Sequence, residues 1–416
     1  MALAFLLGTT LLVVVLGLAK AGPENKAERE RRTMEALVKA RDALIGYALN
    51  ATWPGSLPCP DQNNDGDSEF PNAPPSGSNC PTYVGRFPFK STSIGIGDLR
   101  DSSGERLWYA LSSNYRPHIG SIPTSETSGQ LSVIGTIPSS DVIAVIIAPG
   151  AALPGQNRSP PETILPPLIN PNKTDYLERL NADTNELQYE AAIEADDFND
   201  RILVITRDML MPLVQRRIAK EALNCLQAFA GVSGNRYPWA AQIIDTSDVF
   251  DMSGQEYGRF PTTIANSLND LGLDPATPWL TPACAPALSN AATRNKWKLQ
   301  IFYHVASNYT PPVSPSGCPL SGPGCLTVTT TYGSATRVVV AVMVAGRALP
   351  TGTPQSRLTP ANQSVAANYL ETDSGSGINN SDLIGQYAKA KQVSTGSTPF
   401  NDVTVCIDET SSTVCH

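Results

Sequence analysis

Asp61, Asn63, Asp65 and Gly66, in the stretch LPCPDQNNDGDSE, carry the alternating oxygen pattern of the first half of a calcium loop. In such a loop, side-chain oxygens at every second position converge on a hard cation and the glycine makes the sharp turn. Asp67 and Glu69 are near enough in sequence to add carboxylates, but the twelfth position is Asn72, where a calcium loop carries a bidentate glutamate. Two readings stand. Either Asp61, Asn63, Asp65, Asp67 and Glu69 hold calcium, or the segment is an exposed Asx-rich turn held by a disulfide. The turn is the plainer expectation.

Catalytic chemistry has little to build on. The chain has three histidines, His118, His304 and His416. A hydrolytic triad needs one of them beside a nucleophile and an orienting carboxylate, and nothing clusters that way in sequence. No glycine-rich loop runs into Lys and Ser/Thr, so nucleotide binding is unsupported. Trp108, Tyr109 and Tyr115, flanked by polar residues, suggest a sugar platform. Their alternation with small residues fits a half-buried strand better, so core packing is expected. No catalytic residue is assigned, and the expectation is a protein that is not an enzyme. With 30 Lys+Arg against 38 Asp+Glu the net charge is -8, which disfavours a nucleic-acid partner.

The elements that position these residues are bounded by composition. At 416 residues the chain exceeds the usual span of one core, so two domains are expected. Charged residues are only 16% while Pro (35) and Gly (31) abound, favouring loop-rich, strand-containing structure. Eight cysteines include no C-x-x-C pair. Proximity suggests Cys59 with Cys80, Cys318 with Cys325 and Cys406 with Cys415, leaving Cys225 with Cys284, although sequence alone does not fix connectivity. Disulfides imply an oxidising compartment.

Residues 1–19, MALAFLLGTTLLVVVLGLA, carry no charged side chain and are long enough to cross a bilayer. Ala19, Lys20 and Ala21 also offer a small-x-small signal-cleavage site. No basic residue precedes the apolar run, as expected if a short leader has been removed. From residue 24 to 49 the pattern becomes amphipathic, with Met34, Leu37, Val38, Arg41, Leu44, Ile45 and Ala48 at helical spacing. The two stretches together predict a long rod bent at Pro23.

The segment ARDALIGYALNATWPGSLPCPD, followed by GRFPF at residues 85–89 and LRDSSGERLWYAL at residues 99–111, resembles a bacterial family of type IV pilin-like proteins related to type II secretion pseudopilins. The resemblance covers residues 1 to about 206. It implies an assembly helix that includes Met1, Phe5, Leu6, Leu11, Val14, Leu16 and Pro23. It implies an inner-membrane location with periplasmic heads, then burial of that helix among copies of itself or other pilin subunits in an extracellular filament. A prepilin peptidase and the pilus assembly machinery are the implied partners. The family has a glutamate at the fifth mature position, where this chain has Phe5. That departure suits a tip-located pseudopilin, or a mature chain that does not start at Met1.

Comparing the chain with itself reveals a duplication. YVGRFP at 83–88 recurs as EYGRFP at 256–261, and WYALSSNYRP at 108–117 as FYHVASNYTP at 302–311. VIAVIIAPGAALP at 142–154 recurs as VVVAVMVAGRALP at 338–350, YLE at 176 recurs at 369, and FNDRILVIT at 198 as FNDVTVCID at 400. All five pairs keep their order. The expected class is α+β: a long N-terminal hydrophobic helix followed by two tandem pilin-like heads, each a helix packed on an antiparallel β-sheet. The expected domains are residues 1–50 (first helix), 51–206 (first head), 207–231 (a second, soluble helix) and 232–416 (second head). The apolar runs at 141–148 and 337–345 should be buried central strands. Loops at 121–128, 311–324 and 351–359 should be exposed. The expected function is a structural filament subunit. The alternatives are a minor or tip pseudopilin with an adhesive or priming role, a signal-cleaved secreted binding protein and, least favoured, an extracellular hydrolase.

Overall fold

The computed structural model describes residues 2–69, 79–91, 94–158, 172–183, 185–318, 324–330, 333–349, 355–389, 399–410 and 412–415; side chains are described from residue 26 on, except that of residue 414. Two compact units form. One comprises Met1–Tyr47, Leu57–Pro117 and Ser128–Thr206, the other Ala48–Ser56, His118–Thr127 and Arg207–His416.

The chain opens with helix α1 (Ala2–Asn50). In the first unit follow strands β1 (Val84–Arg86), β2 (Trp108–Leu111), β3 (Leu131–Gly135) and β4 (Ser139–Ala148), a short helix α2 (Arg179–Ala182), and strands β5 (Gln188–Ala191) and β6 (Arg201–Thr206). They make one sheet in the order β1-β2-β4-β3-β5, with β6 also on β4. β4 is central because it is continuously apolar: Val142 to Ala148 are all fully buried, as a strand covered on both faces requires. Trp108, Val133, Val145, Ile147, Tyr176 and Tyr189 gather into this unit's core.

The second unit opens its long helical stretch with α3 (Arg207–Ser233) and continues through β7 (Tyr257–Arg259), α4 (Ala265–Leu271), α5 (Ala291–Trp297), β8 (Ile301–Val305), β9 (Leu326–Thr330), β10 (Ala335–Val338) and β11 (Val340–Val344). α6 (Pro360–Gln363), β12 (Gln386–Lys389), β13 (Val403–Ile407) and β14 (Thr413–Cys415) complete it. Val339 breaks the counterpart of β4 into β10 and β11, so the sheet divides. One part runs β14-β13-β11-β8-β7 and the other β10-β9-β12. α3 lies against β11 and β13 and buries Leu210, Val214, Ile218, Leu226 and Phe229.

The sheets are mixed rather than purely antiparallel. β3 pairs with β5, and β9 with β12, in parallel. Each pair is separated by a connection of more than 50 residues, long enough for the crossover that parallel pairing demands.

The expected long hydrophobic N-terminal helix needs correction. Among the described residues no helix is long and apolar enough to cross a membrane. The part of α1 with described side chains starts at Lys26 and is charged through Arg32, so it buries one stripe only. Met1, Phe5, Leu6, Leu11, Val14, Leu16 and Pro23 lie outside the described side chains. The stripe is Thr33, Ala36, Leu37, Ala40, Leu44 and Tyr47, at the i, i+3, i+4, i+7 spacing of a helix face, and Met34 is exposed. Glu30 of α1 binds Arg201 of β6 at 2.7 Å, and the Thr33 hydroxyl donates to that of Ser102 at 3.0 Å.

The loop expected to be exposed at 121–128 is instead largely buried: Ile122 is 3% exposed and Ser125 2%. The Ser125 hydroxyl donates to the Ala345 carbonyl at 2.9 Å, which draws the loop into the second unit. Residues 319–323 and 351–354 of the other two loops lie outside the described residues.

Candidate functional site

The acidic loop folds onto its own backbone. Asp61 is 1% exposed, and its two carboxylate oxygens accept the amides of Asn64 and Gly66, both at 2.7 Å. Asn63 Oδ1 accepts from the Asp65 amide, Asp65 Oδ1 from the Asp67 amide, and Glu69 Oε1 from the amides of Gln62 and Asn63. The Asn63 and Asp65 bonds are Asx-turn bonds, and the Asp61 and Glu69 carboxylates likewise accept backbone N–H groups of the loop itself. Burial pushes the Asp61 carboxyl up to about 6. Arg106, 2% exposed, pins the loop from below with bonds to the Asn64 carbonyl and side chain. Among the described residues no group of three or more His, Cys, Asp or Glu is arranged to hold a metal.

The histidines are separated. His118 accepts the Gly120 amide at 3.0 Å and caps a short turn. His304 is buried on β8 with Nδ1 2.5 Å from the Tyr387 hydroxyl, and burial lowers it to about 4, so it is neutral at physiological pH. His416 lies outside the described residues. Trp108, Tyr109 and Tyr115 are at most 3% exposed and belong to the core. The Tyr109 hydroxyl donates to the Pro58 carbonyl at 3.2 Å, and Tyr303 in the second unit donates to Pro238 at 3.0 Å.

The four disulfides join Cys59 to Cys80, Cys225 to Cys284, Cys318 to Cys325 and Cys406 to Cys415, the pairs that chain proximity suggested.

The most elaborate polar construction occurs twice, and sequence reading missed most of it. In the first unit the guanidinium of Arg86, from the GRFP motif, is 4.2 Å from the Trp108 ring centre and 4.1 Å from that of Tyr176. In the second, Arg259 lies 4.9 Å from both Phe302 and Tyr369. Cation–π contact offsets part of the cost of burying these charges. Burial lowers Arg86 to about 9 and Arg259 to about 10, so both remain cationic at neutral pH. The preceding glycines are required by close approach: a Cβ on Gly85 would stand 2.5 Å from the Asp61 carbonyl oxygen, and one on Gly258 2.0 Å from that of Ala241. Asp61 and Ala241 thus occupy matching places, which confines the acidic loop to the first unit.

A second arginine closes each tyrosine from its other side. Arg158 sits over Tyr176 at 4.9 Å and donates to the carbonyls of Gly150 (2.7 Å) and Asp175 (2.9 Å). Arg357 sits over Tyr369 at 4.3 Å and donates to the carbonyls of Gly346 (2.7 Å) and Asn368 (2.6 Å). Beside each arginine a glutamine, Gln156 or Gln355, donates to a buried glutamate, Glu178 at 2.8 Å or Glu371 at 2.9 Å. The signal was present: ALPGQNR and ALPTGTPQSR both end in Q-x-R, but an insertion in the second copy shifts the pair out of the aligned block.

These clasps tie the Y-L-E turn and the F-N-D strand start to the sheet. They bring together charge, ring and carboxylate, and what the geometry shows of them is a tie between separate segments of each unit. No family model, curated protein or solved structure matches the chain.

Proposed function

We propose that the protein is an extracytoplasmic structural subunit of a type IV pilus-like or type II secretion-like filament, with copies of itself or related subunits as partners. The observation that carries this reading is the convergence of the three resemblance motifs in one piece of the first unit. Asp61 bridges Arg86, the Tyr109 hydroxyl reaches Pro58, and the Leu57 amide donates to the Tyr115 carbonyl at 2.8 Å. The same framework is built a second time around Arg259, Tyr303 and Tyr237, where the Tyr237 amide donates to the Tyr309 carbonyl at 2.9 Å. Four disulfides suit such a head to an oxidising exterior. Doubling a scaffold enlarges a surface, which is what a wall or tip subunit needs.

The test is mechanical shearing of cell-surface filaments, followed by N-terminal sequencing of the recovered chain and immunogold labelling of the heads. The reading expects the chain in the filament fraction with residues 1–25 retained. Label along whole filaments identifies a main subunit, and label confined to the ends a tip subunit. A monomeric secreted chain that begins after Ala21 would overturn the reading in favour of a binding protein.

A further inference from the structure

Each unit buries a glutamate against an aspartate. Glu178 and Asp200 are 7% and 2% exposed, and Glu371 and Asp402 are 8% and 2%. Two adjacent carboxyl groups taken out of water are stable only when one keeps a proton. The hydrogen bonds identify which one.

Both oxygens of each glutamate are occupied by N–H donors. Glu178 accepts Gln156 Nε2 on Oε1 (2.8 Å) and the amides of Asn199 and Asp200 on Oε2, both at 3.1 Å. Glu371 accepts Gln355 Nε2 on Oε1 (2.9 Å) and the Asn401 amide on Oε2 (3.0 Å). Each aspartate uses Oδ2 alone in this way. Asp200 Oδ2 accepts the Glu178 amide (3.0 Å) and Asn181 Nδ2 (2.8 Å), and Asp402 Oδ2 accepts the Glu371 amide (3.0 Å) and Asn380 Nδ2 (3.2 Å). Oδ1 of both aspartates is buried and meets no N–H donor among the described residues. A glutamate proton would have to displace one of its donors, whereas each aspartate has an Oδ1 that no N–H donor claims and a side-chain hydrogen bond to the glutamate.

We infer that Asp200 and Asp402 are neutral acids in the folded protein, each donating its proton to the partner glutamate, and that these two protons make the fold sensitive to alkali. The proton closes a latch between the Y-L-E turn and the start of β6 or β13. Burial, then the glutamate charge, holds both aspartates well above the ordinary carboxyl range.

The nearby guanidinium charge acts on the glutamate: Arg357 favours the charged form of Glu371, which leaves the proton to Asp402. Arg158 spends its Nη2 on Gln156 Oε1 and the Tyr176 carbonyl. Arg357 does likewise on Gln355 and Tyr369, and also binds Glu126. Arg201, next to Asp200, donates to that residue's carbonyl while pairing with Glu30 of α1 and with Glu194. Each group whose folded value is raised contributes stability that is complete below the unfolded value of 3.8, and loses it as pH climbs through the folded one.

The experiment is urea unfolding of the full chain from mildly acidic to alkaline pH, comparing the native protein with Asp402→Asn, Asp200→Asn, the double variant and Glu371→Gln. The native midpoint should fall as pH rises. Each Asp→Asn change should flatten that fall and raise the midpoint at the alkaline end, because a carboxamide Nδ2 donates to the glutamate without titrating. Glu371→Gln should lower the midpoint at every pH, since an amide N–H would face the donors of Gln355 or Asn401. Parallel pH profiles for native and Asn variants, or equal behaviour of Glu371→Gln and Asp402→Asn, would overturn the assignment. Infrared difference spectra provide a check that needs no stable variant: the folded native chain at neutral pH should show a protonated-carboxyl band that disappears on unfolding, and its absence would refute the inference.

Discussion

Arg259 does the work of several residues at once. It lies between two rings, and its guanidinium donates to the carbonyls of Ile243, Leu299 and Gln363, which belong to three separate stretches of the second unit. Arginine is suited to this because a planar fork satisfies divergent acceptors and stacks on rings together; an ammonium does neither. Arg259→Lys is therefore expected to behave nearly as badly as Arg259→Met. Each should cost about 3 kcal/mol, from buried carbonyls left unpaired at about 1–3 kcal/mol apiece and partly relaxed. Urea midpoints measure this, and a lysine variant as stable as the native chain would refute the fork argument. The GRFP motif is visible in the sequence twice, but its repetition says nothing of where its arginine lies. Only the fold shows it fully buried.

At the scale of elements, the question is what holds loop-rich heads together. The disulfides are unequal in this respect. Cys225–Cys284 closes a separation of 59 residues and ties α3 to the segment ahead of α5, whereas Cys318–Cys325 closes only 7. If the gain comes from restricting the unfolded chain, the first contributes about 4 kcal/mol and the second about 2. Replacing each pair by alanine and measuring denaturant midpoints tests the ranking. Equal losses would mean that native-state packing, not loop length, sets the contribution. The apolar runs that became β4 and β11 were legible because continuous β-branched sequence has few destinations other than a covered strand. The parallel pairings of β3 with β5 and β9 with β12 were not, since partner choice depends on how a long crossover returns.

On the scale of the whole molecule, the second compact unit is not one continuous stretch of chain. Residues Ala48–Ser56 and His118–Thr127 belong with it. Arg217 donates to the carbonyls of Leu49 (2.9 Å) and Ala51 (2.8 Å), and Glu126 accepts the Ala348 amide (2.9 Å) and binds Arg357. A fragment of residues 207–416 is therefore expected to fold less stably than the same unit in the full chain, by about 1 kcal/mol for each lost bond. Matching urea midpoints for fragment and full chain would show that the borrowed segments contribute nothing.

From the sequence by itself came the repeated motifs, the central strands and a pairing suggested, though not fixed, for the cysteines. These rest on local pattern, on short separations or on self-comparison, none of which requires knowing where the chain turns back. Tertiary structure decided the rest: that the calcium-like loop spends its oxygens on its own amides, that α1 buries Thr33 and Tyr47 rather than Met34, and that Glu178 meets Asp200 and Glu371 meets Asp402. Such facts depend on which side chains lose water together, and that is fixed only when distant segments pack.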